Sequence, residues 1–200
     1  MFSGIVQAVG AIEKIEPLEK GVRLTIESGA LDLSDVTIGD SIAVNGVCLT
    51  ATSNAGGRFT ADVSLETLDV SVGLGAPGKV NLEKAMALGD RIGGHLVTGH
   101  VDGVGEVTEF ERVGESWRLA VRAAKGLARY IARKGSITVD GVSLTVNRVA
   151  DESAGAVFEV NLIPHTLEVT TLSRLTPGAR VNLEIDLLAR YVDRILEASR

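Results

Sequence analysis

The chain writes one ten-residue phrase twice. "SIAVNGVCLT" begins at Ser41 and "SITVDGVSLT" begins at Ser136, 95 positions apart in a chain of 200 residues. The same offset aligns the starts of both halves without a gap. "MFSGIVQAVGAI" from Met1 falls under "LVTGHVDGVGEV" from Leu96, so Gly4 meets Gly99, Val6 meets Val101, Val9 meets Val104 and Gly10 meets Gly105. Beyond Thr50 the second copy carries four extra residues around "ADESAGA". The match then resumes: "FTADVSLETLDV" from Phe59 pairs with "FEVNLIPHTLEV" from Phe158, and "PGKVNLE" from Pro77 pairs with "PGARVNLE" from Pro177. A module of about 90 residues is therefore used twice, and two copies are too few for a solenoid, which needs at least three.

Each module reads as β. Short apolar runs rich in β-branched residues are broken by Asn45-Gly46 and Asp140-Gly141, dipeptides that favour tight hairpin turns. The spacing of strands and turns suits a small closed barrel or a sandwich per module. "GHVDGVGEV" contains Gly-x-Gly, but β-like sequence follows it rather than a long helix, so a dinucleotide fingerprint fits poorly. The stretch Ala123 to Gly135, "AAKGLARYIARKG", reads as a short helix that leaves Lys134 at the mouth of the next strand. The tail "DLLARYVDRILEASR" has no counterpart in the first half. It places Leu187, Leu188, Tyr191, Val192, Ile195 and Leu196 at helical spacing, with Arg190, Asp193, Arg194 and Glu197 on the other face. Such a helix packs either on its own barrel or on copies of itself across a symmetry axis, and the pattern alone does not choose.

Composition removes several function classes. At 45% hydrophobic and 23% charged residues the chain can bury a core. A net charge of −6 without any basic run argues against a nucleic-acid binder, and four Phe, two Tyr and one Trp give few stacking platforms. No apolar stretch is long enough for a membrane span, and the first residues lack a basic leader before an apolar core. One cysteine cannot form an internal disulfide, so a cytoplasmic protein is the expectation. His95 and His100 are five apart, which matches neither a helical ligand pair nor a finger spacing, and no metal is expected.

The opening "MFSGIVQAVG", the phrase "NGVCLT", the central "GGHLVTGHVDGVGEV", then "DGVSLTV" and "IPHTLEVTTL" together resemble the riboflavin synthase family. The resemblance covers the whole chain, and its strength lies in five motifs in order. It implies an all-β fold of two tandem, similar six-stranded Greek-key barrels plus a C-terminal α-helix. The expected division is 1–88, 89–186 and 187–200, the last a trimerisation helix. The implied reaction is a four-carbon transfer between two molecules of 6,7-dimethyl-8-ribityllumazine. It gives riboflavin and 5-amino-6-(D-ribitylamino)uracil, the work of a transferase without a cofactor. The implied assembly is a homotrimer in which a first-half barrel faces a second-half barrel of a neighbour, with two lumazines per active site. Docking inside a capsid of lumazine synthase is left open. The rival from another class is a non-catalytic lumazine- or flavin-binding protein of the same fold.

On this resemblance two like substrates need two like pockets, and unequal roles need differences between matched positions. Those differences are Cys48 against Ser143, Asn45 against Asp140, Ile5 against His100, Gly39 against Lys134, Glu66 against His165 and Ala85 against Asp186. The family's catalytic positions map to His100, Cys48, Ser143, Asp186, Lys134 and Ser41, with Asp140 as a further proton relay. Its substrate contacts in the first half map to Phe2, Gly4, Ile5 and Val6, to Cys48, Leu49 and Thr50, and to Asp62, Val63, Ser64, Leu65, Glu66 and Thr67. In the second half they map to Gly99, His100 and Val101, to Lys134, and to Ser143, Leu144 and Thr145. The set ends with Asn161, Leu162, Ile163, Pro164, His165 and Thr166. His165 departs from the glutamate expected after Ile-Pro, as Glu66 shows in the first copy.

Blander readings stand beside these. An isolated histidine is more often structural, and His95 fits that role better than His100. Cys48 can be a small buried hydrophobe, Gly4 and Gly99 can serve turns, and Phe2 can be core packing rather than a cover for the ring. Lys134 and Asp186 can be ordinary surface charges. Holding two reactants in register contributes about 7–11 kcal/mol, against roughly 10²–10⁴-fold from one acid–base group. Orientation is therefore expected to outweigh any single side chain.

Overall fold

A computed structural model of the chain describes residues 1–199; Arg200, the last residue of the expected tail helix, lies outside the described residues. The duplication folds into two closed antiparallel barrels of six strands each. The first is built from β1 (Ala8–Leu18), β2 (Gly21–Glu27), β3 (Ser41–Val44), β4 (Val47–Ala55), β5 (Arg58–Ser64) and β6 (Gly78–Lys84). The second is built from β7 (Gly103–Val113), β8 (Ser116–Ala124), β9 (Ser136–Val139), β10 (Val142–Glu152), β11 (Gly155–Leu162) and β12 (Arg180–Ile185). Strand order around the first is β1-β2-β5-β4-β3-β6, and the second repeats it strand for strand. The long connections from β2 to β3 and from β5 to β6 skip neighbouring strands, which is Greek-key wiring.

Alternation fills each barrel. Leu24 and Ile26 of β2 and Phe59, Ala61 and Val63 of β5 point inward, while Arg23 and Asp62 between them point out. Small closed barrels need strong local bending, which bulges supply. The bulges repeat with the sequence: Ile12/Lys14 in β1 recurs as Val107/Glu109 in β7, and Ala51/Ser53 in β4 recurs as Val146/Arg148 in β10.

The two hairpin turns of the repeated phrase have positive φ at both central residues, 48° and 81° at Asn45-Gly46 and 47° and 79° at Asp140-Gly141. That is the geometry Asn-Gly and Asp-Gly favour. The two turns also meet each other. A Cβ on Gly46 would lie 2.7 Å from the Gly141 nitrogen, and the reverse holds equally. Around this contact Asn81 Nδ2 donates to the Asp140 carbonyl at 2.9 Å and Asn182 Nδ2 donates to the Asn45 carbonyl at 3.0 Å. The barrels are thus pinned by a buried polar network with near two-fold symmetry.

The helical elements differ in part from expectation. Across 123–135, where the sequence predicts a helix, only one turn forms, α2 (Lys125–Ala128), counted after α1 below. Ala123 and Ala124 stay in β8, paired with Ala156 and Gly155, and Gly126 weakens the helical turn itself. Two six-residue helices are additions to the sequence reading, α1 (Leu65–Val70) and its repeat α3 (Pro164–Val169). Each is too short for a 3.6-residue period to show in sequence. The tail forms α4 (Leu187–Ala198), with Asp186 as N-cap accepting from Leu188 N at 2.9 Å. No helix among the described residues is long and apolar enough to cross a membrane.

Helix α4 turns its polar face, not its apolar one, to its own barrel. Arg190 pairs with Asp102, Arg129 pairs with Asp193, and Tyr130 Oη donates to Asp193 at 2.9 Å. Leu188, Tyr191, Val192, Ile195 and Leu196 face outward, Leu188 being 66% and Ile195 65% exposed. Of the two packings left open by the sequence, burial of the apolar stripe on its own barrel is not the one adopted.

Candidate functional site

The lead segments of the two halves are exchanged. Residues 2–6 precede β1 in sequence but lie on the second barrel: Ser143 N donates to the Gly4 carbonyl at 2.8 Å, and Val6 packs on the second core. The mirror arrangement holds for residues 97–101: Cys48 N donates to the Gly99 carbonyl at 2.8 Å, and Val101 packs on the first core. The segments touch at a seam where Phe2 N donates to the Val97 carbonyl at 2.8 Å and Val97 N donates to the Phe2 carbonyl at 3.0 Å.

Glycine is required at both crossings. Gly4 and Gly99 have φ of 74° and 80°, and a Cβ on either would stand 2.6 Å from the Cβ of Ser143 or Cys48. Beyond the turn role, each glycine is needed because its backbone runs against a strand of the other barrel. The Gly4 carbonyl is taken by Ser143 N, so it is not open to a ligand. Phe2 is fully buried against Ala43, Val97, Cys48 and Ala85, so it packs the seam and does not cover a ligand face.

The grouping expected half by half is therefore corrected. Gly4, Ile5 and Val6 join Ser143, Leu144 and Thr145 of β10, while Gly99, His100 and Val101 join Cys48, Leu49 and Thr50 of β4. Thr50 and Thr145 are exposed in equivalent places, across from Ser41 and Ser136 on the neighbouring strands. Ile5 and His100 are exposed at matched positions beside them.

The two rims share a frame and differ in chemistry. On the second, Ser143 Oγ lies 2.7 Å from His95 Nδ1. Burial pushes the His95 imidazole below its ordinary pKa, and the Asp186 charge pulls partly against it. A neutral imidazole in that place can accept the serine proton. Its Nε2 is buried without a partner. The sequence reading makes His95 structural, and the structure instead sets it on a candidate site residue. On the first rim Cys48 is half-buried, and His100 follows Gly99 with its N–H reaching Thr98 Oγ1 at 3.3 Å.

The other candidates fall around these rims. Lys134 is exposed and held at φ 66°, its N–H on the Val146 carbonyl at 2.7 Å; its counterpart Gly39 has φ 101° and reaches the Ala51 carbonyl at 2.9 Å. Ser41 accepts from Ala85 N at 3.0 Å through its carbonyl and borders a cleft of about 280 Å³ with Asp35, Asp40, Lys84 and Met86. Asp62 is clasped by Arg23 at 2.6 and 2.8 Å, which lowers its pKa. Val63 and Leu162 point into the cores and cannot touch a rim ligand by their side chains. Ser64 caps α1 by accepting from Thr67 N, and Leu65 and Glu66 stand exposed beside it. Asn161 accepts from Ser116 Oγ at 2.7 Å. Ile163, Pro164 and His165 are exposed and Thr166 is half-buried where α3 begins. Asp140 is sealed in the junction between barrels, accepting from Asn182 N at 2.8 Å, with burial pushing its pKa up to about 7. That place corrects the expectation that it relays protons between substrates.

Comparison with known proteins adds a lineage to this geometry. A family model described as the lumazine binding domain matches residues 3–85 and again residues 98–186. The chain is 48% identical over 203 residues to the riboflavin synthase of Mycobacterium tuberculosis (strain ATCC 25618 / H37Rv), covering 100% of both. It is 44% identical over 204 residues to that of Photobacterium leiognathi, covering 100% of this chain and 91% of the relative. The riboflavin synthase of Bacillus subtilis (strain 168) is 41% identical over 198 residues, covering 98% of this chain and 90% of the relative. Among solved structures, LumP complexed with riboflavin superposes with a TM-score of 0.81 at 29% identity, covering 92% of this chain and 99% of that one. LumP complexed with 6,7-dimethyl-8-(1'-D-ribityl) lumazine gives a TM-score of 0.80 at 27% identity, with the same coverage.

Proposed function

The chain belongs to the lumazine binding domain family and, within it, to the riboflavin synthases, and from that premise we propose that it joins two molecules of 6,7-dimethyl-8-ribityllumazine. One lumazine gives up a four-carbon unit and leaves as 5-amino-6-(D-ribitylamino)uracil, and the other becomes riboflavin, so the enzyme is a transferase. The observation that carries this reading is the pair of matched rims with unmatched functional groups: Cys48 with His100 on one, Ser143 with His95 on the other.

Like rims bind like ligands, and different groups let those ligands react unequally. On the second rim the His95 tautomer with an unprotonated Nδ1 accepts from Ser143 Oγ–H and leaves the serine oxygen as an acceptor toward the ligand. On the first, His100 is exposed beside Thr50 and Val101, free to move a proton to or from a ligand methyl group. Most of the acceleration comes from holding the two rings against each other, which one barrel alone cannot do.

The rims are carried by separate barrels, and in the arrangement the family resemblance implies, a first-half barrel of one chain faces a second-half barrel of the next. A homotrimer built on α4 supports that arrangement, since the helix presents Leu188, Tyr191, Val192 and Ile195 away from its own chain. A cytoplasmic location fits a chain whose single cysteine is unpaired.

The test is direct. Purified protein mixed with the lumazine under air, without added cofactor, yields riboflavin absorbance and the pyrimidinedione in equal amounts. Bound lumazine fluorescence without conversion would instead make the protein a binder, a reading favoured by the likeness to the two LumP complexes.

A further inference from the structure

A buried carboxylate must find donors to replace its water. Glu83 on β6 and Glu184 on β12 are each only 4% exposed, and each finds three in the same pattern. Glu83 Oε1 accepts from Ser3 N and Ser3 Oγ, both at 2.7 Å, and its Oε2 accepts from Gly4 N at 3.0 Å. Glu184 Oε1 accepts from Thr98 N and Thr98 Oγ1, both at 2.7 Å, and its Oε2 accepts from Gly99 N at 2.9 Å.

Each crossing glycine is thereby held from both ends. Its N–H sits on a carboxylate of its own barrel, and its carbonyl takes an N–H of the other barrel, Ser143 for Gly4 and Cys48 for Gly99. The hydroxyl beside it then accepts the next peptide, Ile5 N on Ser3 Oγ and His100 N on Thr98 Oγ1, both at 3.3 Å. The path from Glu184 therefore ends on Cys48 and His100 of the first rim, and the path from Glu83 ends on Ser143 and Ile5 of the second.

We propose that Glu83 and Glu184 are positioning residues, each setting the rim geometry of the barrel it does not belong to. The inference rests on the reading that both rims take ligand, but its decisive measurement does not. Neither glutamate reaches a rim itself. Their side chains are closed inside the seam, so they act through the segments they hold. Charge-assisted bonds to a buried carboxylate are about twice as strong as neutral ones. A glutamine of equal size offers one acceptor oxygen and sets an NH₂ against a donor.

The test uses the full chain with Glu184→Gln and Glu83→Gln. Cys48 is the single cysteine, half-buried on the first rim, so its alkylation by iodoacetamide reports that rim without any substrate. The expected result is a roughly tenfold faster alkylation in Glu184→Gln, as for the loss of one charge-assisted bond, with Glu83→Gln at the wild-type rate. In lumazine turnover Glu83→Gln and Glu184→Gln both lower kcat/KM. Equal acceleration in both variants would mark general loosening and overturn the proposal, as would no change in either. If a glutamine variant fails to fold, Thr98→Val and Ser3→Ala remove only the hydroxyls and carry the same expectation, Thr98→Val alone exposing Cys48. Should wild-type protein not convert lumazine at all, the proposed activity fails while the alkylation contrast still decides this inference.

Discussion

Asn45 and Asp140 occupy one place in the two copies and make one bond, yet only one of them titrates. Asn45 Oδ1 accepts from Asn81 N at 2.8 Å, as Asp140 Oδ1 accepts from Asn182 N at 2.8 Å. Burial lifts the Asp140 pKa to about 7, against an unfolded value near 3.9. The folded state therefore binds more protons than the unfolded state between these values. Its favourable contribution is full below the unfolded pKa and is lost as pH rises to about 7. Asp140→Asn copies the first half and removes that loss. The variant is expected to melt above wild type at pH 8 and close to it at pH 4, a gain of about 4 kcal/mol at most. Thermal melts across that range measure it, and a variant that melts lower at pH 8 would show that the carboxylate is stabilising there. At this scale the sequence displayed the Asn-to-Asp change. Its environment was not legible there, because burial at a junction between barrels leaves no local pattern.

At the scale of elements, the repeat made strands, turns and the tail helix legible, since each follows from residues within about ten positions of one another. Even the bulges recur at the repeat offset. The small helices α1 and α3 escaped because six residues do not establish a period. The exchange of lead segments escaped for a different reason: swapping two similar pieces between two similar barrels leaves the sequence pattern unchanged. Its signature is steric. Gly99→Ala is expected to cost about 1–3 kcal/mol, because it joins positive-φ strain to an overlap with the Cys48 Cβ. Gly56→Ala, with φ 61° and nothing within 4 Å, is expected to carry the strain alone and to melt closer to wild type. Equal melting temperatures for the two variants would show that the crossing tolerates a Cβ.

At the scale of the molecule, the outward apolar face of α4 is the clearest unfinished surface. Soluble chains rarely leave such a stripe uncovered. If α4 holds the proposed homotrimer, replacing both Leu188 and Ile195 by Lys is expected to give monomers by light scattering. Turnover should be abolished while lumazine still binds, since each chain keeps both rims. A doubly substituted protein that stays trimeric would assign the helix another task. The polar side of the same helix, tied to Asp102, Arg129 and Tyr130, explains why it holds its direction on a single chain.

The sequence by itself determined two β modules, their hairpin turns, the amphipathic tail and the pairs of matched positions that differ. These depend on local periodicity and on comparison of one half with the other. Only the tertiary structure decided which half completes which site. The contacts that carry the crossing, Gly4 to Ser143 and Gly99 to Cys48, join residues far apart in the chain through backbone atoms that every residue possesses. No side-chain pattern encodes such a bond. The sequence could specify the parts of both rims while leaving their assembly to be settled by closure of the barrels.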